Sequence, residues 1–202
     1  SYKCQSSYHP QNQFDFHQCK WGHQFHLHLE EIQEIQGVSS QGITEDFLLG
    51  GARTLYGATK LASELLIAEY VENFGLTMII NRCGVLTGPW QMGKVDQGVV
   101  VLWMARHLFG GKLSYIGYQG SGLQVRDMLH IEDLGDLICL QLSDPDLFQG
   151  CTFNVGGGPE ISASLIEITE LCQEITGNSI PISKDPEERP GDVPWFITDT
   201  AR

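Results

Sequence analysis

Apolar residues recur every three or four positions in four stretches of this chain, a spacing that favours amphipathic helices. The pattern predicts helices over residues 55–74, 96–107, 132–142 and 162–175. Gly75, Gly110 and Gly177 follow three of these stretches. Glycine is common where a helix ends, because it adopts the left-handed backbone conformation without strain.

Short apolar runs lie between the helices and predict strands. They occupy residues 76–81, 113–116, 124–128 and 153–155. The first run is rich in isoleucine, as expected of a buried parallel strand. The residues after it, Arg82, Cys83 and Gly84, then form a loop at the carboxyl end of a strand, where doubly wound sheets bind ligands. Residues 181–192 are rich in proline and charge and predict a loop.

Residues 1–36 show neither a helix period nor a strand period, and five of the seven histidines lie there. Thiolate and imidazole ligands suit zinc, so one hypothesis is a metal site. Its ligands would be Cys19, His23, His26 and His28. Because their spacing matches no zinc module, we favour the alternative. In this alternative, residues 1–36 are an atypical N-terminal segment, unrelated in sequence to the rest of the chain, poorly ordered and without a bound metal.

The chain is acidic, with a formal net charge of −13 and no basic stripe to offset it. This excludes neither enzymes nor anionic small ligands, but it argues against a nucleic acid or an anionic membrane as partner. No apolar run reaches the roughly 18 residues of a spanning helix. The six cysteines show no tight pairing. We therefore expect free thiols and a cytoplasmic protein without a membrane partner.

A tyrosine and a lysine stand four residues apart at the start of the first predicted helix. On a helix this spacing places Tyr56 and Lys60 on one face, one turn apart. An ammonium beside a phenol favours the phenolate, which can take a proton from a hydroxyl group and later return it. The alternative is a solvated ion pair between Lys60 and Glu64.

Five segments together carry a family resemblance. Residues 56–64 (YGATKLASE) resemble the active-site helix of the extended short-chain dehydrogenase/reductases, the superfamily of NAD-dependent nucleotide-sugar epimerases and dehydratases. Four more follow in the family's order, at residues 81–89 (NRCGVLTGP), 125–133 (VRDMLHIED), 153–158 (FNVGGG) and 188–192 (ERPGD). Residues 82–98 are most similar to the CDP-paratose/CDP-tyvelose 2-epimerase branch.

The resemblance implies an α/β fold, an incomplete doubly wound parallel sheet (Rossmann-like) with a small C-terminal substrate-binding part. Residues 37–202 would be the C-terminal two-thirds of an NAD-dependent epimerase/dehydratase domain. The family's Gly-x-x-Gly-x-x-Gly turn cradles the pyrophosphate of NAD. No such turn occurs before Tyr56, so we expect the N-terminal cofactor-binding part to be missing. The full-length family is expected to form homodimers.

Site roles also follow from the resemblance. The catalytic residues it implies are Tyr56 and Lys60. The NAD-binding residues are Tyr56, Lys60, Arg82, Cys83 and Gly84. The residues for the nucleotide-diphosphate sugar are Arg126, Arg189 and Asp192. Arginine suits this role because its planar guanidinium makes bidentate contacts with phosphate.

Alternatives stay open for both arginines. Arg126 could instead form a structural pair with Asp127 or Asp133, and Arg189 could be an exposed loop charge. We interpret His130 as a packed side chain and Asn154 as a residue that fixes backbone turns.

The function that the resemblance implies is an NAD-dependent nucleotide-sugar epimerase, CDP-sugar 2-epimerase-like, present here as a fragment. It acts by transient hydride transfer to NAD. One alternative is a catalytically silent remnant or weak nucleotide-sugar-binding module. Another is a nucleotide-sugar 4,6-dehydratase.

Overall fold

The computed structural model describes the backbone of residues 2–3, 15–21 and 24–29, and residues 35–50, 54–94, 97–187 and 192–201 in full. The helices are α1 (Leu55–Phe74), α2 (Val99–Phe109), α3 (Ile131–Ser143), α4 (Pro145–Phe148) and α5 (Leu165–Thr176). The first seven strands are β1 (Tyr2–Lys3), β2 (Asp15–Trp21), β3 (Gln24–Leu29), β4 (Val38–Ser39), β5 (Gly42–Ile43), β6 (Ile80–Cys83) and β7 (Val85–Thr87). The others are β8 (Leu113–Ile116), β9 (Val125–His130), β10 (Thr152–Val155), β11 (Ser162–Ser164), β12 (Ile182–Asp185) and β13 (Trp195–Phe196).

The strands after α1 pair mostly in parallel, in three separate groups. β6 pairs with β10, β8 pairs with β12, and β9 pairs with both β7 and β13. β11 joins the β9 group antiparallel. Parallel pairs need a crossover, and here helices such as α3 and α5 fall between the partners in sequence. The predicted α/β class is confirmed.

Most of the predicted elements appear near their predicted positions. The helix over residues 55–74 is confirmed as α1, since Thr54 caps its start by accepting a hydrogen bond from the Gly57 N–H, at 3.1 Å. Gly75 ends it with φ of 64°, in the left-handed conformation. The strand predicted at 76–81 is shifted, because only Ile80–Cys83 pairs with a neighbour.

Two predictions near the C-terminus are wrong. The helix predicted from residue 162 begins only at Leu165, because Ser164 is its N-cap in a capping box with Glu167. The residues before it form β11 instead. The predicted loop over 181–192 contains β12, whose Ile182 pairs with Leu113 of β8.

The three strands β1, β2 and β3 lie in the N-terminal segment and form an antiparallel sheet. Sequence analysis did not predict them. Poor order of residues 1–36 stays a prediction. The hypothetical metal ligands Cys19, His23, His26 and His28 lie outside the residues whose side chains are described.

Three apolar clusters form the core. The largest contains Trp103 of α2, Leu113 of β8 and Ile168 of α5. A second gathers Val125, Trp195 and Ile197, and a third Leu129, Leu134 and Val155. β9 contributes Val125 and Leu129 to two of them from one face, and Met128 of its other face packs against the largest, so the strand is held from both faces.

Helix α1 stands apart from this core. None of its residues is buried, so the predicted apolar stripe packs against no core. The side chains of Leu65 and Phe74 are 63% and 69% exposed. No described helix combines the length and the apolarity needed to cross a membrane.

Candidate active site

The first turns of α1 bring Tyr56 and Lys60 together. The Lys60 Nζ lies 5.3 Å from the centroid of the Tyr56 ring. Tyr56 is 70% exposed, so its hydroxyl is open to a ligand. This is a cation–π arrangement, with the ammonium over the face of the phenol ring. The geometry suits a general acid/base.

Glu64, one turn further along α1, is engaged by a different residue. Arg82 at the end of β6 donates from Nε to Oε1 at 2.9 Å and from Nη2 to Oε2 at 2.7 Å. This bidentate bond raises the pKa of the Arg82 guanidinium. The alternative pairing of Lys60 with Glu64 is therefore wrong, since both Glu64 oxygens accept from Arg82. The ion pair instead fixes α1 against β6, while an NAD contact by Arg82 stays a prediction.

Cys83 is the last residue of β6, and Gly84 alone separates β6 from β7, so the prediction that Arg82 and Cys83 lie in a loop is wrong. The Cys83 thiol is exposed, and its Sγ donates weakly to the Asn81 carbonyl oxygen at 3.7 Å. A β-carbon at Gly84 would lie 3.2 Å from Oδ1 of Asp127, a tight contact. Glycine at this position thus lets the chain approach the end of β9 closely.

Arg126 and Asp192 meet at the other predicted site. Arg126 Nη2 donates to Asp192 Oδ1 at 3.0 Å, and Nη1 donates to the Val125 carbonyl oxygen at 2.7 Å. Burial lowers the pKa of the Arg126 guanidinium, and the negative charge of Asp192 opposes this shift. Two of the three predicted substrate residues are thus in contact. Arg189 lies outside the described residues.

A cavity of about 510 Å³ opens beside this pair. Its apolar wall includes Leu102, Trp103, Leu113 and Ile116, and its polar lining includes Gln124, Arg126 and Asp192. This mixture of an apolar wall with a few polar groups is typical of a small-molecule site. Neither Tyr56 nor Lys60 is among the described residues that line the cavity, so the two predicted pairs do not share it.

Asp127 has a separate, structural role. It is fully buried, and its Oδ2 accepts hydrogen bonds from the Gly158 N–H at 3.2 Å, the Thr198 N–H at 3.1 Å and the Thr198 hydroxyl. The alternative that pairs Arg126 with Asp127 or Asp133 is wrong, because the Arg126 guanidinium bonds to Asp192. Successive residues of a strand point to opposite faces, which separates Arg126 from Asp127.

The two remaining interpretations have different outcomes. His130 is not a packed side chain but the N-cap of α3, where its Nδ1 accepts from the Glu132 N–H at 3.3 Å. Asn154 fixes backbone as predicted, since its Nδ2 donates to the Ile43 carbonyl oxygen at 3.0 Å.

Comparison with known proteins relates this geometry to a family. Residues 34–156 match the model of the NAD dependent epimerase/dehydratase family. The chain is 30% identical over 146 residues to CDP-paratose 2-epimerase of Salmonella typhi. The matched region covers 71% of this chain and 43% of that protein. This chain belongs to the NAD-dependent epimerase/dehydratase family.

Solved structures of the family agree. UDP-glucuronic acid 4-epimerase from Bacillus cereus, in complex with UDP-glucuronic acid and NAD, matches with a TM-score of 0.69 at 26% identity, over 82% of this chain and 49% of that one. DesIV, a dTDP-glucose 4,6-dehydratase from Streptomyces venezuelae with NAD bound, matches with a TM-score of 0.65 at 26% identity. The match covers 81% of this chain and 48% of that one. The predicted Rossmann-like fold is confirmed. This epimerase/dehydratase chain spans about half the length of the relatives it matches.

The residues present fit the nicotinamide-ribose part of NAD, the family's cofactor. The Tyr56 hydroxyl and the Lys60 ammonium are donors that suit ribose hydroxyls, and within the described residues no carboxylate pairs with Lys60. Gly84 supplies a close backbone approach at the neighbouring strand end.

Sequence reasoning missed two residues of this epimerase/dehydratase chain, Asp127 behind the site and Gln124 in the cavity lining. Asp127 was noticed only as a neighbour of Arg126, and Gln124 was not singled out. For Asp127 the signal was the alternation along β9, which assigns Arg126 to one face and Asp127 to the other, whereas Gln124 lies just before this strand.

Proposed function

We propose that this chain is the catalytic and substrate-binding portion of an NAD-dependent nucleotide-sugar epimerase, of the CDP-sugar 2-epimerase kind. The observation that carries the proposal is the Lys60 ammonium over the Tyr56 ring at the exposed start of α1. The similarity to CDP-paratose 2-epimerase supports the choice of a CDP-sugar. A cytoplasmic location, a homodimer, and the absence of nucleic-acid and membrane partners belong to the same proposal.

NAD, when bound, accepts a hydride from a sugar carbon and returns it. The Tyr56 phenolate takes the proton of the hydroxyl group on that carbon and gives it back later. Lys60, whose ammonium lies over the Tyr56 ring, would hold the ribose hydroxyls of the cofactor. Arg126, Arg189 and Asp192 hold the nucleoside diphosphate, so that the sugar reaches Tyr56. Product analysis with CDP-sugars tests the proposal in a version of the chain that carries the family's Gly-x-x-Gly-x-x-Gly turn and holds NAD. An epimer at C2 supports the proposal, and loss of water from the sugar indicates a dehydratase.

The arginines provide a test of substrate class. A charge-assisted bond to phosphate is worth about 1.5 to 3 kcal/mol. Arg189→Ala and Arg126→Ala are each expected to weaken CDP binding roughly 10- to 150-fold by calorimetry. Lysine at either position should recover only part of the loss, since an ammonium lacks the planar fork. Arg126→Ala should also lower the melting temperature, because it leaves Asp192 unpaired.

The matched control is Lys184→Ala, which removes an exposed positive charge from β12 that is not among the described residues lining the cavity. Its CDP affinity should stay within about twofold of the parent chain, as expected of a screened surface charge. A folded Arg189→Ala chain with unchanged CDP affinity would refute the phosphate role and favour an exposed loop charge.

The 202-residue chain is expected to bind NAD poorly or not at all. No Gly-x-x-Gly-x-x-Gly turn precedes Tyr56, so the chain lacks the family's device for holding the pyrophosphate. Calorimetry with NAD checks this, and micromolar or tighter binding contradicts it.

A further inference from the structure

Gln124 carries a buried polar atom that the fold itself leaves without a partner. Its side chain is 7% exposed. The Nε2 donates to the Ile116 carbonyl oxygen at 2.8 Å. That carbonyl only accepts, so the bond determines which end of the amide is the nitrogen. The Oε1 is buried with no hydrogen-bond partner among the described residues. Such an acceptor destabilises the fold unless a ligand supplies a donor.

The position of Gln124 restricts what that ligand group can be. Gln124 immediately precedes β9, two residues before Arg126, and both residues line the 510 Å³ cavity. A β-carbon at Gly117 would lie 3.7 Å from Gln124 Nε2 and 3.8 Å from Asp192 Oδ2. The Gln124 amide and the Asp192 carboxylate therefore flank one point, next to Arg126.

The side-chain atoms of Gln124 and Asp192 that have no partner among the described residues, Gln124 Oε1 and Asp192 Oδ2, are both hydrogen-bond acceptors. Asp192 Oδ1 accepts from Arg126 and from the Val193 N–H, whereas Oδ2 accepts from none of the described residues. Phosphate oxygens cannot donate, and Asp192 repels them. In a nucleoside diphosphate the group joined to the diphosphate is the ribose, whose hydroxyls donate.

We propose that Gln124 is a specificity-determining residue, whose Oε1 accepts a hydrogen bond from a ribose hydroxyl of the nucleoside diphosphate held by Arg126. This inference rests on the proposed function, because it assumes that a nucleoside diphosphate occupies the cavity. Asp192 Oδ2 is placed to accept from the neighbouring hydroxyl of the same ribose.

The test removes each partner of the bond in turn. CDP, 2′-deoxy-CDP and 3′-deoxy-CDP are titrated into the 202-residue chain and into Gln124→Leu by calorimetry. In the parent chain, loss of the hydroxyl that Gln124 contacts should weaken binding about 3- to 10-fold. Gln124→Leu should bind CDP more weakly by a similar factor and should no longer distinguish CDP from that deoxy analogue. If removal of each ribose hydroxyl weakens binding by the same factor in the parent chain and in Gln124→Leu, the inference is overturned.

Gln91→Leu is the matched control. Its Nε2 also donates to a main-chain carbonyl, that of Leu86 at 2.9 Å, and its Oε1 is also buried without a partner in the described part of the chain, but Gln91 does not line the cavity. Its affinity for CDP, and its loss of affinity for the two deoxy analogues, should equal those of the parent chain. Thermal melting monitors folding, and Gln124→Met replaces Gln124→Leu if the latter does not fold.

Other outcomes separate this inference from the proposed function. Gln124→Leu could instead alter the ratio of CDP to UDP affinity without changing the loss of affinity caused by removing a ribose hydroxyl. In that case Gln124 contacts the base, and the ribose assignment is wrong. A parent chain that binds CDP but tolerates both deoxy analogues equally overturns the inference and leaves the proposed function standing. A parent chain that binds no nucleotide removes both.

Discussion

Tyr56→Phe is expected to slow turnover of a nucleotide sugar by about a hundredfold or more, the scale for removing a positioned acid/base. The measurement needs a version of the chain that carries the family's Gly-x-x-Gly-x-x-Gly turn and holds NAD. Phenylalanine keeps the ring beneath the Lys60 ammonium, so the structure of α1 should not change. The loss should therefore appear in kcat while substrate affinity is retained. Lys60→Met should slow the reaction and also weaken NAD binding.

Tyr70→Phe offers a control on the same helix, since Tyr70 is also exposed and also loses only a hydroxyl. Its turnover should equal that of the parent enzyme. An unchanged rate in Tyr56→Phe would show that the acid/base lies elsewhere.

Asp127→Ala is expected to lower the free energy of unfolding by about 3 to 5 kcal/mol, because three donors lose their buried acceptor at once. The bonds join β9 to the Gly158 turn and to Thr198, two segments distant in sequence. Urea unfolding measures the change. Asp136→Ala removes an exposed carboxylate from α3 and should change stability by at most about 0.5 kcal/mol. A loss below about 1 kcal/mol in Asp127→Ala would contradict the structural role.

Local sequence signals predicted the helices well. Helix α1 has the predicted bounds, because the apolar period, Thr54 and Gly75 all act within one turn of its ends. The start of α5 could also have been predicted, since Ser164 and Glu167 have the spacing of a capping box. The strand β12 could not, because the residues after Ile182 are polar and only pairing with β8 makes them a strand.

The site was less predictable because its contacts are distant in sequence. Arg126 is 66 residues from Asp192, and the intervening chain gives no sign that they meet. Asp133 and Asp127 were nearer candidates, but the alternation of the strand directs Asp127 away from Arg126. Resemblance to the family named Asp192 as a substrate residue, whereas its partner became apparent only in the folded chain.

The weak attachment of α1 has a consequence for local dynamics. Regions with few buried apolar contacts open at low free energy without global unfolding, and their amide hydrogens exchange early. Helix α1 has no buried residue, and the Arg82–Glu64 ion pair is its bidentate link to β6. Its amides should therefore exchange with solvent well before those of β9. A ligand that binds both Tyr56 and Lys60 binds only the ordered helix, so part of its binding free energy is used to order α1.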